Sequence, residues 1–277
     1  MSSRQESHNR FYGFHGCGDV VTESELWAQE TTINVSFLDG TAAQQSKVMK
    51  GIEEWSRYVN LKIRQVPSGL GIQISFSGKC STSLFGTQCL KVKRGMPTTT
   101  LFQIDGENLG WTDQERGTIL REVGHALGFT HEHHNPDRKE TLTPKQDLPK
   151  DYTKTQGRSQ EAIKANDTNE SYERIIPIHT DFGHTSIMGP PIACNDQEIA
   201  APLVTELTNF DKAFAIVHYP RPIPHPETPG WTIERALTVL GVPKDARNKI
   251  LQSESPKKIF KSFEAWNGRN MEKQSEG

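Results

Sequence analysis

Long apolar runs are missing from this 277-residue chain, and so is a charge excess of either sign. No stretch approaches the roughly 20 consecutive apolar residues that a membrane-spanning helix needs, so no span is expected. Lysine and arginine total 32 against 34 aspartates and glutamates, a formal net charge of −2. That balance supplies no overall basic field to draw the chain onto nucleic acid or an anionic membrane, and neither is an expected partner. There are only four cysteines, too few for a disulfide-stapled mini-protein of this length. The opening MSSRQESHNRFYGFHG has no apolar core of a secretory signal, so none is expected there. Hydrophobic residues are 34% of the chain, lean but above the disordered regime. A cored globular protein remains.

Residues 1–29 carry few apolar side chains and read as an N-terminal arm. INVSFL, from Ile33 to Leu38, alternates apolar with polar and stops at Asp39-Gly40, which predicts a strand. Thr41 then caps a helix to about Tyr58, with Val48, Ile52, Trp55 and Val59 on one face. Strands are expected over 61–66, 71–76 and 98–104, with Cys89–Lys93 (CLKVK) as a turn-bounded strand before the last. Thr112 and Glu115 form a capping box for a helix running to about Leu127, where Gly128 is a natural stop. Residues 135–182 are polar and broken by proline, with one amphipathic helix near 159–166. LTNFDKAFAIVHYP predicts a further helix, and PRPIPHPETPG (220–230) a proline-rich linker. Two apolar faces follow, one on Ile233, Ala236, Leu237 and Leu240, the other on Ile259, Phe260, Phe263 and Trp266. The fold class is α+β with a mixed sheet and an α-rich C-terminal part. The boundaries are 1–29 for the arm, 30–221 for the main domain, and 222–277 for linker and helical extension.

The chemistry concentrates in ILREVGHALGFTHEHH, which begins at Ile119. At about 100° per residue, Ile119, Leu120, Val123, Ala126 and Leu127 share one side of the helix. Arg121, Glu122 and His125 share the other. Alone, Glu122 and His125 would fit a solvated helix face. Gly128 and His131 change that reading, because they complete the spacing of the zinc signature H-E-x-x-H-x-x-G-x-x-H at four of its five fixed positions. In that signature two helical histidines and a third beyond the glycine bind the metal, and the glutamate acts as general base.

On these residues the chain resembles the metzincin superfamily of zinc peptidases, and within it the astacin-like peptidases. His131-Glu132 continues the motif as in that group, TSIMGP (185–190) looks like its Met-turn with Met188 under the site, and LTNFDKAFAIVHYPR resembles its closing helix. The resemblance implies one Zn²⁺ ion, His125 and His131 as ligands, Glu122 as catalytic base, and hydrolysis of internal bonds in a peptide or protein substrate. It implies that substrate pairs with an edge strand, for which Cys89–Lys93 is the candidate, and that relatives are often secreted.

Two positions depart from the pattern. Arg121 stands where the first zinc histidine belongs, and a guanidinium has no lone pair to give a metal. Pro190 stands two residues after Met188, where the group often has a tyrosine. His184 is the best-placed substitute ligand; His133, His134, His179 and His218 are expected at the surface or satisfied internally. Cys80 with Cys89, and Cys17 with Cys194, are possible pairs, as are free thiols. The second reading of the chain is a peptide-binding pseudoprotease in which Arg121 supplies the positive charge.

Overall fold

The computed structural model describes residues 11–13, 20–22, 25–130, 186–188, 204–253 and 255–275. Two short strands come first, β1 (Phe11–Gly13) and β2 (Val20–Thr22), inside the stretch that shows no element in sequence. They are followed by β3 (Thr32–Phe37), α1 (Ala42–Ser56), β4 (Lys62–Gln65) and β5 (Ile72–Ser75), close to the expected positions. β6 (Thr82–Ser83), a 3-10 turn at Gly86–Lys91 and β7 (Thr99–Thr100) lead to α2 (Asp113–Ala126) and β8 (Phe129–Thr130). The C-terminal part holds α3 (Asn209–His218), α4 (Ile233–Val239), α5 (Lys244–Leu251) and α6 (Pro256–Ser275).

The larger sheet has the order β4-β3-β5-β7-β6, parallel except for β6, which runs antiparallel on the edge. Its strands are short and apolar on the covered face, so the sheet holds only when α1 and α2 bury that face. Both helices start on a complete capping box, Thr41 with Gln44 and Thr112 with Glu115. They are tied together through the core. The Trp55 indole donates to Leu120 O at 2.8 Å, and the fully buried Lys47 ammonium meets Glu115 Oε1 at 2.8 Å.

Three expectations are corrected. Cys89–Lys93 is not a strand: Gly86–Lys91 forms the 3-10 turn, with Gly86 and Cys89 turned inward every third residue while Leu90 is exposed. The antiparallel edge is Thr82–Ser83 instead. The strand over 98–104 shrinks to Thr99–Thr100, because Gln103 takes a left-handed backbone (φ 56°) that leaves the sheet. The helix expected near 159–166 lies outside the described residues.

Residues after 222 pack back on the domain. Ile233, Ala236, Leu237, Ile250, Ile259 and Phe263 join the same buried core as α1 and α2. α5 has no sequence signal because Ile250 is the one residue it buries. Among the described residues no helix is long and apolar enough to cross a membrane.

Candidate functional site

Helix α2 sets the site. Its capping box and the acidic Asp113 and Glu115 in the first turn favour a firm N-terminus. Ile119, Leu120, Ala126 and Leu127 go into the core as the wheel requires. The other face is not solvated, however. Arg121, Glu122 and His125 are 7%, 5% and 2% exposed, so three polar groups lie under cover on adjoining turns.

The imidazole of His125 is oriented by the chain just beyond its own helix. Gly128 adopts φ +105°, which side-chain-bearing residues avoid, and reverses the backbone. The reversal brings Phe129 O to 2.8 Å from His125 Nδ1. A carbonyl only accepts, so Nδ1 carries the proton and the lone pair of the neutral ring sits on Nε2. A backbone carbonyl fixing the tautomer in this way is the usual support of a metal-binding histidine. The Phe85 ring packs edge-on against the imidazole, with 5.1 Å between centroids.

Glu122 differs from its neighbours. It borders an apolar void between sheet and helices, lined among others by Val48, Ile52, Ile74, Leu101 and Val123. Burial pushes its carboxyl up to about 7, against the opposing pull of the Arg121 guanidinium. Its Oε2 is buried without a hydrogen-bond partner among the described residues.

Beneath the helix lies the turn at Ser186–Met188. Gly124 makes room for it: a Cβ there would come within 2.5 Å of Met188 Sδ. Met188 is fully buried, and Arg121 Nη1 donates to Ile187 O at 3.4 Å. Asp211 on α3 holds the turn, accepting from Ser186 Oγ (2.7 Å) and Ile187 N (3.2 Å) while also accepting from Thr208 N (2.7 Å). Sequence reasoning misses Asp211 as part of the site. Its only sequence signal is Thr208-x-x-Asp211, a capping box that the structure contains but that gives no hint of the longer reach.

The structure thus brings Arg121, Glu122, His125 and Met188 together. His131, His133, His134, His179, His184 and Pro190 lie outside the described residues. His218 is satisfied internally: its Nδ1 meets Phe214 O at 2.8 Å, and burial holds its imidazole down at about 4. Cys80 is in a disulfide and Cys89 is a free, buried thiol, so the loop-closing pair Cys80–Cys89 is excluded.

Tested against a zinc ion, the described donors fit in part. His125 has the correct tautomer, and the orphaned buried oxygen of Glu122 calls for a cation or a proton. Arg121 does not fit: a buried, permanently protonated guanidinium stands one turn before His125, where the zinc signature has a histidine. Among the described residues no group of three or more metal-binding side chains converges.

The family model for astacin, a peptidase family, matches residues 19–188. Two solved structures of myroilysin are 27% identical to the chain. One covers 73% of this chain and 98% of its own with a TM-score of 0.51, the other 72% and 87% with 0.55. High choriolytic enzyme 1, a hatching enzyme zinc-protease from the medaka Oryzias latipes, is 16% identical over 60% of this chain and 73% of its own, with a TM-score of 0.38. No curated protein matches the chain.

Proposed function

The chain belongs to the astacin family of peptidases, and from that premise we propose that it is a zinc metalloendopeptidase acting on peptide or protein chains, with a metal site weakened by Arg121. Glu122 is the general base, and His125 and His131 are the histidine donors. One observation carries the reading: His125 is held with Nε2 as its lone-pair nitrogen, one turn from a buried carboxyl that exchanges a proton near neutral pH. Zinc, when bound, supplies Lewis-acid polarisation of a carbonyl and acidifies water.

The chain's own residues do the rest. Glu122, raised to about 7, takes a proton at its carboxylate and returns it to a leaving amine without a large change in driving force. The apolar void beside it keeps bulk water from quenching that exchange. Met188 and Asp211 form a floor that keeps the helix from sagging away from substrate. Residues 30–221 form the peptidase domain in this reading, with 222–277 as linker and extension. The disulfide at Cys80 supports an oxidising compartment.

A second reading rests on a different observation. Arg121 is buried and bonded to Ile187 O, built into the turn rather than swung out of the way. That favours a pseudoprotease in which the guanidinium replaces the metal's positive charge and grips a substrate carbonyl.

Metal analysis with an assay on an unfolded protein substrate separates the two. Zinc near one equivalent, with cleavage lost to chelator, establishes the enzyme. Zinc well below one equivalent and no cleavage establishes the pseudoprotease. Arg121→His is expected to raise both zinc content and peptidase activity at least about tenfold, the scale on which metal sites respond to their supporting groups. No change in either overturns the metal-site reading.

A further inference from the structure

The end of α2 needs partners for its last carbonyls, and they come from both ends of the chain. A helix leaves its final C=O groups without intrahelical donors. Gly128 N takes His125 O at 2.8 Å. The indole N–H of Trp27 donates to Ala126 O at 2.9 Å, and the Tyr219 hydroxyl donates to Leu127 O at 2.5 Å. The same hydroxyl accepts from the backbone N–H of Trp27 at 3.1 Å, so the two clamps are one unit. Trp27 and Tyr219 are both buried, 5% and 0% exposed, and burial keeps the Tyr219 phenol protonated well above its ordinary range.

The N-terminal segment also closes the next step of the chain. A Cβ at Gly128 would lie 3.2 Å from Leu26 Cδ2 and 3.3 Å from Glu25 O, so the reversal is walled in by residues just ahead of Trp27. Beyond it, β2 pairs with β8, with Val21 opposite Phe129. Phe129 is the residue whose carbonyl holds His125 Nδ1. Besides the local Gly128 reversal, the contacts that fix that carbonyl are therefore non-local.

We infer that Trp27 and Tyr219 are positioning residues for His125: they lock the turn after α2 so that Phe129 O selects the Nδ1-protonated tautomer and leaves the ring's lone pair on Nε2. This deepens the proposed function and rests on it for its consequence, since a donor histidine must present a lone pair in a fixed direction. The orientation itself can be read without any metal.

The experiment is nitrogen–proton NMR of the histidine rings in the full chain with chelator present, for wild type, Trp27→Phe and Tyr219→Phe. Each change keeps a ring and removes one donor; the second variant stands in if the first does not fold. His225 is the internal control, because its Nδ1 accepts from the Glu227 N–H two residues on, at 3.2 Å, away from the clamp. In wild type His125 is expected in the Nδ1–H form. In either variant its tautomer ratio is expected to fall by roughly fivefold, the weight of one neutral hydrogen bond, while His225 holds. An unchanged His125, or a change shared equally by His225, overturns the inference. Zinc uptake measured on separate portions of the same proteins without chelator separates the two claims: an ordered His125 in a wild-type chain that takes up no zinc leaves the clamp standing and removes the metal reading.

Discussion

Helix α2 carries two buried acids, each with a cation nearby, and their surroundings are built in opposite ways. At its start, Lys47 from α1 meets Glu115 at 2.8 Å and also donates to Asp105 O at 2.9 Å. Glu115 accepts besides from Asp105 N (2.7 Å) and Thr112 N (2.6 Å). Burial alone would raise the Glu115 carboxyl, but these donors outweigh it and hold it below the usual range. Further along, Arg121 and Glu122 are just as covered, yet burial wins and Glu122 rises to about 7. Glu115 is saturated with hydrogen bonds; Glu122 has an oxygen without a hydrogen-bond partner among the described residues. A fold that needs only stability completes the hydrogen bonds of such an acid, which is why Glu122 is the acid proposed for chemistry.

The sharpest way to break the comparison is Lys47→Ala. It strands Glu115 as an uncompensated buried charge, and a loss of about 3–5 kcal/mol in denaturant unfolding at pH 7 is expected. Glu122→Gln should do the reverse. The folded carboxyl is raised, so its contribution to stability is full below pH 4.5 and lost as pH rises through about 7. Glutamine never ionises. In chelator, the variant should match wild type near pH 4 and exceed it by about 3 kcal/mol at pH 8. A gain that does not grow with pH would mean that Glu122 finds a partner in solution.

The legible part of this molecule is its local part. The cap at Thr41, the capping box at Thr112, the apolar stripe of α2 and the Gly128 reversal all depend on residues within a turn or two of one another. Glu122, His125 and Met188 stand out for the same reason, through spacing. What stays hidden is carried by distant pairs. Trp27 on Ala126 O, Tyr219 on Leu127 O and Asp211 on Ile187 N leave no periodic trace. Cys89–Lys93 misleads because alternation over a few residues does not tell a strand from a 3-10 turn that buries every third position. β1 and β2 are too short to alternate at all; β2 pairs on the edge that β8 offers, and β1 on β2.

Asp211→Asn tests the floor beneath Arg121 and Glu122. The amide cannot accept with both atoms, so donors among Ser186, Ile187 and Thr208 lose a partner at a fully buried position. A loss of about 2 kcal/mol in thermal unfolding is expected. Arg121 should feel it as well, since its Ile187 carbonyl is part of the same turn.

The smallest effect belongs to Arg116, and it decides whether burial or mere pairing separates the two ends of α2. Arg116 lies between them and has two acids, Glu54 at 3.1 Å and Glu206 at 2.9 Å, as many as Lys47 has in Glu115 at 2.8 Å and Asp105 at 3.9 Å. Its side chain keeps contact with water, 22% exposed, and Glu206 is 73% exposed. Solvent already screens these charges, so Arg116→Met should cost less than about 1 kcal/mol, and less still in high salt. If it cost as much as Lys47→Ala, the number of ion pairs rather than their desolvation would govern the helix. The contrast between Glu115 and Glu122 would then lose its physical basis.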